Sequence, residues 1–447
     1  MKKIALILMV ALIIGCQKKK EPVEVLQVSG HPLWIMQGNV YEVNVRQYTS
    51  EGTFRAFAKN LDRLKEMGVQ TLWFMPLNPI SKKDRKGTLG SYYAVSSYTS
   101  VNPEFGTLND WKNLVTAAHE KGMKVIIDWV PNHTGADHPW LTSHPEFYAK
   151  DKDGNPAVMM DWTDTRQLDY HNAVMEDSMI ACMKYWMTNT SIDGFRVDVA
   201  WNVPASFWNK CIPQLKQLNN DIFMLAEGDK PYLHESGFDA TYPWEMFHMM
   251  EKIAKGVRPA YALDSVKQKF DTVYTKNAIA LYFTSNHDEN SWNKADYGTF
   301  PGPVHAPFAV FTQTMVRSVP LIYSGQEEPV LKGLLFFEKD PITFGRFERA
   351  VFYKTLLALR KRNPALSADA SFTKVDAGDR NAVYSFVREK EGKKILVVLN
   401  LSDKKQTVTV TDKNLLGKAH NVFSDKDELV SDQPTSLSAW GYLVYEY

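Results

Sequence analysis

The segment TFRAFAKNLDRLKEMGVQTLWFMP, residues 53–76, contains one complete helix-to-strand unit. Its apolar residues recur at helical spacing, Thr53 is suited to cap the start of the helix, and Gly68 is suited to end it. The apolar run VQTLWFMP that follows, residues 69–76, is typical of a buried strand. This segment therefore predicts an amphipathic helix that leads directly into the interior of a sheet.

The same alternation of strands and helices extends in both directions along the chain. Thr107 and Asp110 form a capping box before one of the later helical patterns. The strand candidates are residues 40–46, 69–76, 124–131, 192–199, 222–227, 238–242, 278–286 and 319–324. Strands that alternate with helices pair in parallel, so eight of them over about 325 residues predict a closed (β/α)8 TIM barrel. A doubly wound open sheet is the alternative, and the lack of a Gly-rich phosphate loop after any strand weakens it.

Two regions depart from this alternation. Residues 132–171 form a long excursion after the third strand, of a length that is typical of functional loops. After residue 369 the pattern changes to short strands only. We therefore predict a barrel domain over residues 36–368, which includes a loop domain at 132–171, and a C-terminal all-β domain over residues 369–447.

The composition is that of an ordinary globular protein. The 447 residues include 52 Lys+Arg and 51 Asp+Glu, so the formal net charge of +1 gives no basic excess for nucleic acid. Hydrophobic residues make up 44% and charged residues 23%, which excludes a disordered or fibrous chain. Aromatic residues, at 12%, fit either the stacking of sugar rings or a large aromatic core.

The N-terminus predicts a secreted lipoprotein. A basic start precedes the apolar run IALILMVALIIG, which has the length of a signal peptide and is too short to span a bilayer. Residues 13–16, Ile-Ile-Gly-Cys, resemble a bacterial lipobox and are followed by the polar tether QKKKEP. We therefore predict a signal peptide over residues 1–15, a lipidated Cys16 and a tether over residues 16–35. This would anchor the protein to a membrane surface of the bacterial cell envelope; a plain signal peptide is the alternative.

The other two cysteines, Cys182 and Cys211, are isolated in helical patterns. Two such residues make neither a disulfide framework nor a zinc site. We predict that both are buried as small hydrophobic side chains.

Charged side chains gather where the predicted strands end, which is the edge that carries the chemistry of a (β/α)8 barrel. Arg196 and Asp198 are two residues apart on one strand and point to the same side, so the arginine would keep the carboxylate ionised, as a nucleophile requires. Glu227 follows the apolar run FMLA, and partial burial would suit it to proton donation. Each residue alone is more often a structural ion pair or cap, but complementary charges at four strand ends favour an active site.

Four motifs in this order resemble those of the α-amylase family of glycoside hydrolases: DWVPNH (128–133), GFRVDVAW (194–201), MLAEG (224–228) and TSNHD (284–288). The resemblance extends over about residues 36–447 and is greatest to the bacterial α-amylase, neopullulanase and cyclomaltodextrinase branch. It implies a retaining hydrolase of α-glucosidic bonds, mainly α-1,4, in starch, maltodextrins or related α-glucans. No cofactor is required by this activity.

The resemblance also implies the role of each site residue. Asp198 matches the nucleophile, Glu227 the general acid/base, and Asp288 the third carboxylate that helps to hold and distort the sugar ring. The substrate-binding residues that it implies are Arg196, His133, His287, Tyr93 and Asp128. For a retaining reaction, the carboxyl groups of the nucleophile and the acid are expected to be about 5–5.5 Å apart.

Two departures from the family pattern affect these expectations. The family often has Lys and His three and four residues after the nucleophile, where this chain has Trp201 and Asn202, so the sugar contacts beyond the cleaved bond should differ. Trp201 would either stack on a sugar ring or pack against the protein. A bridging calcium ion is common in the family, with Asn132 and Asp169 as candidate ligands here, but Gln167 lies where a ligand aspartate would fall. The sequence therefore leaves calcium open.

Two other functions stay open at this point. A transglycosylase would use the same intermediate, with a sugar hydroxyl in place of water. A non-catalytic glucan-binding lipoprotein would keep the fold without the activity, although all three carboxylates are present here. The short segment between Cys16 and the barrel leaves no room for an additional N-terminal domain, so we expect a monomer.

Overall fold

The computed structural model describes residues 27–447, which form a closed parallel barrel followed by an antiparallel sheet. The barrel strands are β1 (Val40–Val43), β2 (Thr71–Phe74), β3 (Lys124–Trp129), β4 (Gly194–Val197), β5 (Phe223–Ala226), β6 (Ala240–Thr241), β7 (Ile279–Tyr282) and β8 (Ser318–Tyr323). Every neighbouring pair is parallel, the strands follow one another in chain order, and β8 closes onto β1. The predicted TIM barrel is therefore confirmed.

The helices of the barrel lie between these strands and after β8. The principal ones are α1 (Phe54–Ala58), α2 (Leu61–Met67), α3 (Leu108–Glu120), α4 (Ala173–Thr190), α5 (Ala205–Leu218), α6 (Trp244–Ala254), α7 (Ala262–Val273), α8 (His305–Thr314) and α9 (Ala350–Arg362). Helices of four or five residues occupy Leu33–Met36, Val45–Tyr48, Trp140–Ser143, Tyr232–Glu235 and His287–Ser291. The capping box predicted at Thr107 and Asp110 is present at the start of α3.

The segment 53–76 folds as predicted except in the middle of its helix. Thr53 accepts a hydrogen bond from the Ala56 N–H, and Gly68 ends α2 with φ at +103°. A Cβ at this glycine would lie 2.9 Å from Leu357 on α9, so the close packing of the two helices also needs glycine. The prediction of one continuous helix is wrong, because α1 and α2 are separate and the Asn60 side chain between them bonds back to backbone carbonyls.

The excursion after β3 contains a short antiparallel hairpin, His133–Gly135 with Thr165–Gln167. Salt bridges and backbone hydrogen bonds connect it to the loop after β2, including Arg166 to Asp84 at 2.7 Å. The excursion therefore lies over the carboxyl-terminal edge of β2 and β3, beside the strand ends that carry the predicted site.

The C-terminal region forms a sheet that packs on the barrel helices. Its strands are β9 (Ser371–Lys374), β10 (Val383–Lys390), β11 (Lys393–Asn400), β12 (Gln406–Val408), β13 (Gly417–Asn421), β14 (Lys426–Val430), β15 (Thr435–Leu437) and β16 (Tyr442–Glu446). Six of them pair antiparallel in the order β9-β10-β11-β16-β13-β14, and β12 pairs with β15. This is the all-β architecture that the sequence predicts.

One buried arginine joins the sheet to the barrel. Arg388 on β10 is fully buried and donates to the carbonyls of Thr314 at the end of α8 (2.7 Å), Ser367 (2.7 Å) and Ser371 (2.8 Å). Burial lowers the pKa of Arg388 to about 9. Side chains of β10 and β11 belong to the same hydrophobic cluster as side chains of α8 and β8, so the two regions share one core.

The structure tests only some of the remaining sequence predictions. Cys211 is buried, whereas Cys182 is partly exposed, so the prediction that both are buried is wrong for Cys182. The signal peptide over residues 1–15, Cys16 and most of the tether lie outside the described residues. Within residues 27–447, no helix combines the length and the apolar character needed to cross a bilayer.

Candidate active site

A pocket with a volume of about 460 Å³ lies at the carboxyl-terminal edge of the barrel strands. The three carboxylates predicted from the sequence, Asp198, Glu227 and Asp288, line it together with Tyr93 and His133. Other side chains that line it are Lys86, Trp162, Trp292 and Phe336. The structure thus brings side chains that follow β2, β3, β4, β5 and β7 into one cavity.

Arg196 on β4 is the centre of the charge network below this pocket. Its guanidinium is fully buried and contacts Asp128 (Nη1 to Oδ1, 2.9 Å), Asp198 (Nη1 to Oδ1, 3.1 Å) and Glu227 (Nη2 to Oε1, 3.0 Å). One cation therefore connects carboxylates from three adjacent strands, β3, β4 and β5. This arrangement requires the arginine to lie inside the barrel, where the strand alternation places it.

The pKa of Asp198 shifts in the direction opposite to the one that Arg196 alone would produce. Burial raises the pKa of Asp198 well above its ordinary value, the Glu227 carboxylate raises it further, and Arg196 only partly offsets both. Burial also raises the pKa of Asp128 to about 6, despite its contact with Arg196. The expected contact between Arg196 and Asp198 is present, but burial and like charges outweigh its effect, so the pKa of Asp198 is raised and not lowered.

A second cation, His287, lies on the other side of the pocket. Its Nδ1 is 2.5 Å from Glu42 Oε1, and its Nε2 is 3.2 Å from Asp288 Oδ2 and 2.8 Å from the Tyr93 hydroxyl. Although burial opposes the charged form, Asp288 and Glu42 together raise the pKa of His287 well above its ordinary value. Burial acts against ionisation of Asp288 as well, but the imidazolium holds the pKa of Asp288 below its usual range. The interaction with His287 therefore keeps Asp288 ionised.

The carboxyl groups of this cluster outnumber its cations. Glu42, Asp128, Asp198, Glu227 and Asp288 supply five carboxyl groups, against the two cations Arg196 and His287. Like-charged groups at such short range favour retention of a proton. Retaining glycoside cleavage needs one ionised and one protonated carboxyl group, and a cluster that retains a proton is compatible with this requirement.

His133 is held as a neutral hydrogen-bond donor. The Asn202 side chain donates to Asn132 Oδ1 (2.7 Å), and this turns the Asn132 Nδ2 towards His133 Nδ1 at 3.1 Å. The proton of the ring then lies on Nε2, which is buried without a partner among the described residues. Burial lowers the pKa of His133 to about 4, so the ring is neutral near pH 7 and can donate to a sugar hydroxyl.

The candidate calcium ligands do not fit a calcium ion. The side-chain oxygen of Asn132 accepts from Asn202 at 2.7 Å, and Asp169 Oδ1 accepts from the His171 N–H at 2.9 Å. In the part of the chain that the structure describes, no group of three or more His, Cys, Asp or Glu side chains is arranged to hold a metal ion. Asn202 occupies, by a direct hydrogen bond, the oxygen that a cation would need.

Trp201 lies beside the pocket and does not line it. Its side chain is 40% exposed and borders a neighbouring depression together with Asn202 and Tyr232, whose hydroxyl donates to the Trp201 carbonyl. A Cβ at Gly228, next to Glu227, would lie 3.2 Å from Trp201. Of the two sequence hypotheses, the structure therefore favours an indole that is accessible to a ligand on the Glu227 side over one packed in the core.

Two further residues of the site, Val199 and Glu42, were assigned no role from the sequence. Val199 adopts φ of +46°, a left-handed conformation that is unfavourable for a β-branched residue, and its N–H donates to Glu227 Oε2 at 2.7 Å. No sequence signal predicts this conformation. Glu42 could have been identified from the sequence, because it is an acidic residue within the apolar strand VYEV. It lies at the same edge of the barrel as the other carboxylates.

Comparison with known proteins agrees with this geometry. The family model for the alpha-amylase catalytic domain matches residues 35–162 and 158–339, and the model for the alpha-amylase SusG C-terminal domain matches residues 383–442. The chain is 26% identical to Alpha-amylase MalA of Haloarcula japonica over 84% of its length, and the match covers 57% of that relative. It is 24% identical to a cyclomaltodextrinase of Thermoanaerobacter pseudethanolicus over 81% of its length and 65% of the relative.

Solved structures are similar over almost their entire length. A maltogenic alpha-amylase, AmyB, from Thermotoga neapolitana superposes with a TM-score of 0.83 at 27% identity, over 92% of this chain and 99% of that one. An alpha-amylase from Lactobacillus plantarum gives the same TM-score of 0.83 at 28% identity, with the same coverage of 92% and 99%. By its sequence, its fold and the carboxylates of its pocket, the chain belongs to the α-amylase family of glycoside hydrolases.

Proposed function

We propose that the protein is a retaining hydrolase of α-glucosidic bonds, mainly α-1,4, in starch, maltodextrins or related α-glucans. The observation that carries this proposal is the contact of one buried guanidinium, Arg196, with the carboxylates of Asp198 and Glu227 on adjacent strands. Asp288 faces the same pocket from β7. The similarity to a maltogenic alpha-amylase and to a cyclomaltodextrinase supports α-glucans as the substrate class.

In the first step, Asp198 attacks the anomeric carbon while Glu227 protonates the departing glycosidic oxygen. The carbon–oxygen bond to the leaving sugar breaks, and a covalent glycosyl-enzyme forms. Glu227, now ionised, then removes a proton from water, which attacks the same carbon and releases Asp198. Two inversions give net retention of the α configuration.

The other pocket residues hold the sugar ring during these steps. His133 presents an Nε2–H donor, whereas Asp288 accepts hydrogen bonds as an ionised carboxylate. Tyr93 stacks on His287 with its ring centroid 5.5 Å away and offers an aromatic surface to the sugar. These contacts orient the anomeric carbon over Asp198.

The test is the release of reducing sugar from soluble starch, maltoheptaose, β-cyclodextrin and pullulan by the purified full chain. The configuration of the first product is read by proton NMR before mutarotation. The proposal predicts an α-anomer from at least one substrate. A β-anomer, or no hydrolysis of any of the four, would contradict it.

Removal of the Asp128 charge should shift the acid limb of the pH profile. Asp198 must be ionised to attack, so activity falls as the pH drops through its raised pKa. Because Asp128 contributes to this increase, an Asp128→Asn variant lowers the pKa of Asp198, and the acid limb of kcat/KM moves to lower pH. The measurement is a pH series of kcat/KM on maltoheptaose for the unmodified chain and for Asp128→Asn. An acid limb that stays in place or moves to higher pH in the variant would contradict this reasoning.

We also propose that Cys16 anchors the enzyme to a membrane of the bacterial cell envelope. The lipobox-like residues 13–16 and the polar tether that follows support this proposal. A Cys16→Ala variant expressed in a bacterial host should move from the membrane fraction to the soluble fraction. Recovery of the variant in membranes at the level of the unmodified chain would exclude a lipid anchor at this residue.

A further inference from the structure

The loop after β2, residues 82–90, crosses the pocket edge from the excursion to the loop after β8. On the excursion side, Lys86 Nζ donates to the Asp161 carbonyl at 2.8 Å, and Asp84 pairs with Arg166 at 2.7 Å. On the other side, the Leu89 N–H donates to the Phe337 carbonyl at 3.0 Å. We call residues 82–90 the crossing loop.

Hydrogen bonds from a buried arginine hold the crossing loop in place. Arg46 is buried and donates to the carbonyls of Leu89 (3.2 Å) and Gly90 (3.0 Å) in the crossing loop, and of Phe336 (3.2 Å) in the loop after β8. Gly87 has φ of +61°, and a Cβ there would lie 2.6 Å from the Cβ of Phe337, so the two loops touch without space between them. The crossing loop is therefore a fixed wall of the pocket, to which Lys86 contributes a lining side chain.

The position of this wall in the barrel, together with the proposed role of Glu227, indicates which end of a glucan would meet it. The wall is built from the loops after β2 and β8, the two neighbours of β1, whereas Glu227 follows β5, which lies across the closed barrel from β1. The leaving group departs on the Glu227 side. In a glucopyranose ring, C4 lies opposite the anomeric carbon, so the C4 side of the attacked sugar points away from Glu227 and towards the wall.

We propose that the crossing loop, with Lys86, closes the pocket on the non-reducing side, so that the enzyme removes short units from the non-reducing ends of α-glucans. This inference rests on the proposed function and adds the mode of attack to it. A chain that continued beyond the wall would have to displace the contacts of Lys86 with the excursion and of Leu89 with Phe337. Internal bonds of a long glucan therefore do not reach Asp198.

The test compares two aryl maltoheptaosides, one with a free non-reducing end and one whose terminal O4 and O6 are blocked by an ethylidene group. The free-ended glucan should give one short product size at the earliest times, and the blocked glucan should be cleaved at least about 100-fold more slowly. Equal rates on both substrates would overturn the closed pocket and leave the proposed function intact. Failure to cleave either would overturn the proposed function, and this inference with it.

A matched pair of lysine variants tests the wall itself. Lys86→Ala opens the contact with the excursion and should raise the rate on the blocked glucan, relative to the free-ended one, by about tenfold. Lys83→Ala is the control, because Lys83 belongs to the same loop but is exposed and lines a separate depression with Asp137 and His138. An unchanged ratio in Lys86→Ala, or an equal rise in Lys83→Ala, would overturn the assignment of Lys86 to the barrier.

Discussion

An Asp198→Asn variant should retain the fold and lose about four orders of magnitude or more in kcat on maltoheptaose. The amide is nearly the same size as the carboxylate and can still accept a hydrogen bond from Arg196, but it cannot form the glycosyl-enzyme. Steady-state hydrolysis and the thermal unfolding midpoint of both proteins provide the measurement. Residual activity above about one per cent of the unmodified chain would remove Asp198 from the role of nucleophile.

Asp193→Asn is the matched control for this variant. Asp193 is a buried aspartate just before β4, at the opposite end of the strand from Asp198, and its partners are His119 (2.7 Å) and Lys124 (2.9 Å). Loss of these ion pairs should lower the unfolding midpoint while kcat stays close to that of the unmodified chain. The two variants therefore separate damage to the fold from damage to the chemistry.

Azide distinguishes a nucleophile from a residue that only positions the substrate. In Asp198→Ala, the space left by the carboxylate admits azide, which attacks the anomeric carbon while Glu227 protonates the leaving oxygen. The expected product is a β-glycosyl azide, because only one inversion takes place. An α-glycosyl azide, or no recovery of activity with azide, would argue against attack by Asp198.

A Glu227→Gln variant is expected to lose about 10³- to 10⁴-fold in kcat/KM on maltoheptaose and much less on a maltosyl fluoride. Departure of a sugar needs the proton of a general acid, whereas departure of fluoride needs much less assistance. The Val199 N–H can still donate to the amide oxygen, so the conformation of the β4 end is preserved. Parallel kinetics on the two substrates test this expectation.

Glu235→Gln is the corresponding control, because Glu235 lies at the exposed end of the short helix that follows the β5 edge. It should behave as the unmodified chain on both substrates. Equal losses on the glucan and on the fluoride in Glu227→Gln would mean that Glu227 does not act as the acid.

The barrel was predictable because periodicity is a local property of the chain. The apolar run after Gly68 and the capping box at Thr107 each need only a few neighbouring residues. The position of Arg196 relative to Asp198 was predictable for the same reason, since alternation along a strand decides it.

Several features of the site depend on contacts between distant segments and had no such signal. The partner of His287 is Glu42, which is 245 residues away in the chain. The sign of the pKa shift at Asp198 depends on burial and on Glu227, so Arg196, its neighbour in sequence, could not decide it. The position of the crossing loop at the pocket edge can be recognised only from its contacts with residues 161 and 337.

Arg388 limits how far the C-terminal sheet can be treated as a portable module. Its guanidinium has a barrel carbonyl, that of Thr314, as one partner, and no carboxylate neutralises it within hydrogen-bond distance among residues 27–447. A chimera that exchanged the sheet for that of another enzyme would leave the Thr314 carbonyl without its donor and would disrupt a shared apolar core. The penalty for leaving such a buried carbonyl without a donor is about 1–3 kcal/mol. Domain exchange in this enzyme therefore has to transfer the α8 surface along with the sheet.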